Sequence, residues 1–181
     1  MTQETVQNGQ YDGKAMESAA RPRVLALNIA AGTVYGAVVS CPDTLDPDAL
    51  ERLQLAEGME THEQLADFAA RFQQDLRQIA PIAVGVVNTR LYANWKYADA
   101  FKRVAVEATI MLTVAQTSTV GVPIAYKLIK QESMAKAMDI PLPKLAEIAE
   151  QRWGGQVTRY RKDRLPAVVG AMALAKEFCA E

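Results

Sequence analysis

Two apolar runs joined by a short glycine-containing turn constrain the fold of this chain more than any other feature. The first run, residues 24–27, is continuously apolar, which is typical of a strand buried on both faces. Gly32 lies in the turn, and the β-branched and aromatic residues 34–39 favour a second strand. The sequence therefore predicts two strands joined by a tight turn, with Asn28 at the end of the first.

Strand-like and helix-like patterns follow one another along the rest of the chain. Residues 42–47 are predicted to form a loop, and residues 50–55 are a weaker candidate for a third strand. Thr61 is predicted to cap a helix, with Gln64 three residues later. Further strands are predicted at 82–87 and 121–126, and helices at 61–80, 94–117, 130–138, 143–152 and 165–179. This order predicts an α/β domain with a mixed sheet.

The composition indicates one hydrophobic core. The chain has 181 residues, of which 50% are hydrophobic, which suits one core better than two. Residues 1–20 are polar and aperiodic, so a disordered tail is predicted there and a single domain at 21–181. Neither a signal peptide nor an apolar run of spanning length stands out, so a cytoplasmic location without a membrane partner is expected. There, Cys41 and Cys179 are expected to be reduced thiols.

Charge is distributed unevenly along the chain. Residues 1–80 carry 6 Lys and Arg against 12 Asp and Glu, whereas residues 81–181 carry 14 against 9. The basic half could meet a polyanion, or the two halves could neutralise each other or a second subunit. A pI near 5.9 is low for a dedicated DNA-binding protein.

The order and lengths of these elements resemble the RuvC-type Holliday-junction resolvases of the RNase H-like superfamily. The resemblance covers about residues 23–178. Residues 81–87 resemble the central strand of that family, residues 136–153 its helix–loop–helix, and residues 163–175 its last helix, which is rich in small residues. The resemblance implies an α/β fold with an RNase H-like, mixed five-stranded sheet flanked by helices.

The resemblance also implies where a nuclease would hold its metal ions. Phosphodiester hydrolysis on such folds uses two divalent cations about 4 Å apart, and these hard cations need several carboxylate ligands. The matching positions in this chain are Asn28, Val87 (Asn88 if the register slips by one), Ala167 and Gly170, and all are uncharged. A catalytically inactive RuvC-like domain without a metal or other cofactor is therefore predicted.

Asp163 leaves an alternative open. It lies one helical turn before Ala167, so on an extended helix it would point toward the same cleft. Pro166 instead favours Asp163 at the start of the helix, where aspartate is a good N-cap. If Asp163 acted as a ligand with Asn28 and Asn88, the chain would be a structure-specific nuclease dependent on Mg²⁺ or Mn²⁺.

Cations and aromatic rings alternate between residues 90 and 103. This pattern suits phosphate contacts combined with base stacking, and in the resembled family this region lies beside the DNA cleft. The predicted nucleic-acid contacts are Arg90, Tyr92, Trp95, Lys96, Lys102 and Arg103. Alternatively, the aromatic residues anchor the helix while the lysines are solvated. A second basic segment, residues 152–164, is interpreted as a flexible loop whose charge is incidental.

The helix predicted at 94–117 is apolar on more than one side, so it needs cover on two faces. In the resembled family the equivalent helix pairs across a two-fold axis, which implies a homodimer here. The leading hypothesis is thus a dimeric module that binds branched or duplex DNA, or that acts as a scaffold for a protein partner. The alternatives are the metal-dependent nuclease, a protein-interaction module without a nucleic-acid role, and a nucleotide-binding protein, because residues 28–33 also resemble the phosphate loop of actin-like ATPases.

Overall fold

One mixed sheet and five α-helices form the part of the chain that the computed structural model describes, residues 21–30, 32–88, 96–120 and 123–179. The strands are β1 (Arg23–Ala30), β2 (Thr33–Ser40), β3 (Thr44–Asp46), β4 (Arg52–Gln54), β5 (Ala83–Asn88) and β6 (Ala125–Lys130). The helices are α1 (Thr61–Ile79), α2 (Tyr97–Val120), α3 (Gln131–Met138), α4 (Leu145–Trp153) and α5 (Arg161–Phe178). None of these helices is long and apolar enough to cross a membrane. The tail predicted at 1–20 lies outside the described residues.

The sheet brings the carboxyl ends of three strands to one edge. β1 pairs antiparallel with β2 and parallel with β5, and β5 pairs parallel with β6. β3 and β4 pair with opposite ends of β2. The predicted mixed sheet is confirmed, with six strands where five were predicted, because two short strands share the outer position. The register between β1 and β5 stops at Leu27 and Val86. We call the gap beyond this pair, between the last residues of β1 and β5, the strand-end crevice.

Successive side chains of β1 point to opposite faces of the sheet, and the core has one layer on each face. Val24 and Ala26 pack with side chains from α3, α4 and α5. Leu25, Leu27 and Ile29 pack on the other face with side chains from α1 and α2. Because helices cover both faces, every residue from Val24 to Ile29 is buried, which explains why the run is almost continuously apolar.

Two strand predictions needed correction. The segment 42–47, predicted as a loop, contains β3. The strand predicted at 121–126 begins at Ala125 and continues to Lys130, while residues 121–122 lie outside the described residues. β6 pairs only with β5 among the described strands, so its polar positions face solvent. A half-exposed edge strand lacks the long apolar run that identified β1 and β5.

The helix boundaries agree with prediction to within three residues, except at α5. The cap of α1 is Glu60 and not Thr61, because the Glu60 backbone N–H donates to the Glu63 carboxylate at 3.2 Å in a capping box. The last residue of α1 is Ile79. The C-cap that follows, Ala80, has a φ of 48° in the left-handed region and directly precedes Pro81.

The expectation of two unpaired thiols is wrong for the structure. Cys41 follows β2 and Cys179 follows α5, and a disulfide bond joins them with a Cα–Cα distance of 5.7 Å. The residues are 138 positions apart in sequence, and only the packing of α5 across β1 and β2 brings them together. The cytoplasmic location stays a prediction.

Candidate functional site

Asn28 connects the end of β1 to the first turn of α5. Its side chain is only 4% exposed, and its amide Nδ2 donates to the main-chain oxygen of Asp163 at 2.8 Å. This bond fixes the orientation of the amide, because a carbonyl can only accept. The other amide atom, Oδ1, is buried without a hydrogen-bond partner among the described residues.

Hydrocarbon occupies the other positions that the resemblance assigned to metal ligands. Val87 and Ala167 are fully buried in the α5 layer of the core. A Cβ added at Gly170 would lie 3.0 Å from Val87 Cγ2 and 3.2 Å from Ala26 Cβ, so glycine allows α5 to approach the sheet closely. Packing therefore holds Val87 and Gly170 in place. The hydrogen bond from its side-chain amide to the Asp163 main-chain oxygen holds Asn28.

The prediction that Asp163 caps α5 is wrong. The helix begins at Arg161, two residues earlier, and Pro166 lies inside it. Arg164 explains the extra turn: its side chain is 1% exposed and donates to the main-chain oxygens of Gly36 at 3.2 Å and Pro47 at 2.9 Å. These buried charge-assisted bonds offset the single helical bond that the proline removes.

Asn88 and Asp163 do not complete a metal site in the described structure. Asn88 is exposed at the end of β5, where it lines a cleft of about 250 Å³ with Lys130, Gln131 and Glu132. Within the described residues, no group of three or more histidine, cysteine, aspartate or glutamate side chains could hold a metal ion. A set of two amides and one carboxylate does not fit two divalent cations.

Arg103 fills the strand-end crevice. It was predicted to contact nucleic acid, but its side chain points inward and is 4% exposed. Its Nη1 donates to the main-chain oxygen of Ile29 at 2.5 Å, and its Nη2 donates to that of Val87 at 3.1 Å. One guanidinium thus bridges β1 and β5 where their pairing ends. Burial lowers the pKa of Arg103, and Glu107, 4.0 Å away, partly offsets this.

Lysines surround the same edge of the sheet. Lys96 and Lys102, both predicted contacts, are exposed at the amino-terminal end of α2. Two exposed lysines that were not among the predicted contacts lie across the crevice, Lys130 at the end of β6 and Lys162 in the first turn of α5. Only the shared direction of β1, β5 and β6 reveals that these four residues belong to one edge. We call them the lysine rim. The predicted contacts Arg90, Tyr92 and Trp95 lie outside the described residues.

The second basic segment is built into internal contacts and is not a free loop. Arg159 lies 3.6 Å from the Glu51 carboxylate, and Arg161 pairs with Glu150. Tyr160 accepts a hydrogen bond from Arg52 at 3.1 Å. Arg159, Arg161 and Arg164 all have glutamate partners, so Lys162 is the charge that this segment adds to the lysine rim.

An apolar strip of α2 faces solvent in the described structure. Val104, Met111 and Leu112 are 61%, 47% and 58% exposed, and Ala108 and Ala115 lie between and beyond them at helical spacing. The opposite side of the helix, with Val106, Ile110 and Val114, is buried against the sheet. We call the exposed residues Val104, Ala108, Met111, Leu112 and Ala115 the α2 apolar face.

Solved structures of Holliday-junction resolvases are similar to this architecture. No protein-family model and no curated protein sequence matches the chain. Thermus thermophilus RuvC in complex with a Holliday-junction substrate aligns with a TM-score of 0.65 and 13% identity over 87% of this chain and 94% of that one. Another Thermus thermophilus RuvC structure gives 0.62 and 14% over 85% and 93%. The yeast mitochondrial Holliday-junction resolvase Ydc2 gives 0.56 and 13% over 88% and 81%.

The alignments cover 85–88% of this chain and 81–94% of each compared chain, so the similarity concerns the whole domain and not one motif. At identities of 13% and 14%, this similarity shows the fold alone. The order of β1 to β6 and the placement of α5 against β1 agree with the resemblance read from the sequence. This chain therefore has the RNase H-like fold of the RuvC-type Holliday-junction resolvases.

Proposed function

We propose that this chain is a RuvC-like module that binds branched or duplex DNA without cleaving it. The observation that carries the proposal is the Arg103 guanidinium in the strand-end crevice, bonded to the main-chain oxygens of Ile29 and Val87. A fixed buried cation opposes the approach of divalent ions, and the surrounding positions supply amide and hydrocarbon where such ions need carboxylates.

Binding is supported by the lysine rim and by the fold. Four exposed ammonium groups on one edge of the sheet suit a polyanion, because each phosphate contact releases bound counterions from DNA. One structurally similar protein, Thermus thermophilus RuvC, was solved in complex with a Holliday-junction substrate. The protein would hold DNA through phosphate contacts and leave its bonds intact.

The proposal predicts binding without cleavage. Full-length protein should shift a labelled four-way junction at about 50 mM salt, with a plot of log K against log salt that falls with a slope of about −3.6 for the four lysines of each bound protomer. The same junction, duplex DNA and RNA should stay uncut with Mg²⁺ or Mn²⁺. Electrophoretic mobility and denaturing gels report the two properties separately.

Three results would decide against parts of this proposal. Cleavage that disappears in Asn28→Ala would indicate the rebuilt, metal-dependent nuclease. Absence of binding to any DNA or RNA at low salt would remove the nucleic-acid role and leave a protein-interaction module. Binding that does not depend on salt would contradict a role for the lysine rim.

We further propose that the α2 apolar face pairs with the same face of a second copy. An isologous contact needs a self-complementary patch, and a helix of small and medium apolar residues packs readily against its own symmetry mate. Large exposed apolar patches on a soluble protein mark contact surfaces. The pairing would double the number of lysines available to one DNA molecule.

Met111→Glu should disrupt this dimer. Placing a carboxylate at the centre of an apolar contact leaves it desolvated and unpaired, so dimer affinity should fall by about 100-fold or more. Light scattering after size exclusion measures the mass of each variant. Leu142→Glu is the control, because Leu142 is another exposed apolar side chain away from α2 and should leave the dimer intact. A wild-type protein that is monomeric at high concentration would contradict the proposal.

A further inference from the structure

A polar pocket of about 200 Å³ lies beside the turn between β1 and β2. Gln64 of α1 and Lys102 of α2 line it on one side, and Thr33 and Gln54 border it at the strand ends. Among the described residues, no hydrogen bond or ion pair joins the side chain of Gln64 or Lys102 to another residue, so their donors remain available. Amide and ammonium donors in one pocket are groups that bind a phosphate oxygen.

Gly32 in the turn borders the pocket beside Lys102. Gly32 has a φ of 80°, a left-handed conformation that favours glycine, and a Cβ there would lie 3.7 Å from the Lys102 side chain. The lysine stem thus lies against the turn backbone. One carboxylate, Glu57, also lines the pocket and opposes an anion, so the balance between Lys102 and Glu57 sets the affinity.

An apolar pocket of about 140 Å³ adjoins the polar one. The two share Leu55, Gln64 and Lys102, and the second adds Leu65 and Phe101. The Phe101 side chain is 56% exposed, at the edge of this apolar pocket. A phosphate seat directly beside an exposed aromatic ring has the composition of sites that hold single-stranded nucleic acid.

We propose that these adjoining pockets bind one nucleotide of an unpaired strand, with its phosphate at Lys102 and Gln64 and its base on Phe101. The inference rests on the proposed nucleic-acid role and specifies the form of DNA that this part of the surface takes. A base inside a duplex is already stacked and paired, so only an unpaired nucleotide can offer its ring to Phe101 while its phosphate reaches Lys102.

The test measures binding of fluorescein-labelled oligothymidylate to full-length variants by fluorescence anisotropy over a range of salt. Lys102→Met should weaken binding about 5- to 10-fold at low salt and reduce the salt slope by about 0.7, the value for one single-strand phosphate contact. Phe101→Leu should weaken binding about tenfold without changing the slope, because stacking is not ionic. Glu57→Gln should tighten binding, since it removes the opposing charge.

Lys176→Met is the matched control, because Lys176 is exposed near the opposite end of α5. It should bind like the wild type. Light scattering on Phe101→Leu confirms that its assembly is unchanged, so that a loss of affinity reports the pocket.

The outcomes separate the two proposals. If the wild type binds neither junction nor oligothymidylate, the nucleic-acid role fails and this inference fails with it. If the wild type binds the junction but Lys102→Met and Phe101→Leu match it on oligothymidylate, only the nucleotide site is overturned. Opposite effects of Lys102→Met and Glu57→Gln, together with the wild-type behaviour of Lys176→Met, would support it.

Discussion

Arg103→Met should lower the free energy of unfolding by about 3 kcal/mol or more. The substitution keeps a long apolar stem but removes the guanidinium that donates to the main-chain oxygens of Ile29 and Val87. Hydrogen bonds to a charged group contribute about 1.5–3 kcal/mol each, and both acceptors would remain buried without this donor. Urea unfolding followed by circular dichroism measures the change as a shift of the midpoint at constant m-value.

Two controls make this result specific to the bridge between β1 and β5. Lys102→Met alters the neighbouring helical position, which is exposed, and should change stability by less than about 0.5 kcal/mol. Arg103→Lys keeps the charge but has one nitrogen in place of the planar fork, so it should lie between the wild type and Arg103→Met. If Arg103→Met unfolds within about 0.5 kcal/mol of the wild type, the bridge does not hold the crevice.

Gly170→Asp should destabilise the protein by about 4 kcal/mol or more, although it places a carboxylate at a position where the resemblance implies one. The new Cβ would lie 3.0 Å from Val87 Cγ2 and 3.2 Å from Ala26 Cβ, closer than packed side chains normally approach. The carboxylate beyond it would enter the hydrocarbon layer between α5 and the sheet, where burial disfavours its charged form.

Thermal unfolding in EDTA and in Mn²⁺ tests this prediction. The melting temperature of Gly170→Asp should fall by about 10 °C, equally in both conditions. Gly155→Asp is the control, because a Cβ at Gly155 meets no atom within 4 Å. A Gly170→Asp protein that is stabilised by Mn²⁺ would show that the position still faces a usable metal site, contrary to the proposed function.

Local sequence patterns predicted most of the architecture because the burial of strand and helix faces sets the spacing of apolar residues along the chain. β1 and β5 are covered on both faces, so their runs are continuously apolar and were located to within one or two residues. α1 has one buried face, and its apolar residues recur at helical spacing. The resemblance of element order and spacing also matched Asn28, Val87, Ala167 and Gly170 to the ligand positions, and all four are uncharged.

Which side chain occupies the strand-end crevice could not be predicted from local patterns, because it depends on contacts between residues far apart in the chain. Arg103 has the sequence context of a surface cation, yet it is buried because the pairing of β1 with β5 stops at Leu27 and Val86 and its guanidinium donates to the main-chain oxygens of Ile29 and Val87 just beyond. Arg164 extends α5 past the predicted start because its partners, Gly36 and Pro47, come from β2 and the loop after β3. No local pattern encodes such acceptors.

By itself, then, the sequence determined the order of strands and helices, the mixed sheet and the burial of β1 on both faces. Tertiary structure alone decided that one arginine closes the crevice, that Lys130 and Lys162 join Lys96 and Lys102 on one edge, and that Cys41 meets Cys179. The physical reason is range: backbone propensity and side-chain periodicity act over a few residues. Charge placement and covalent pairing depend instead on which chain segments the folded sheet brings together.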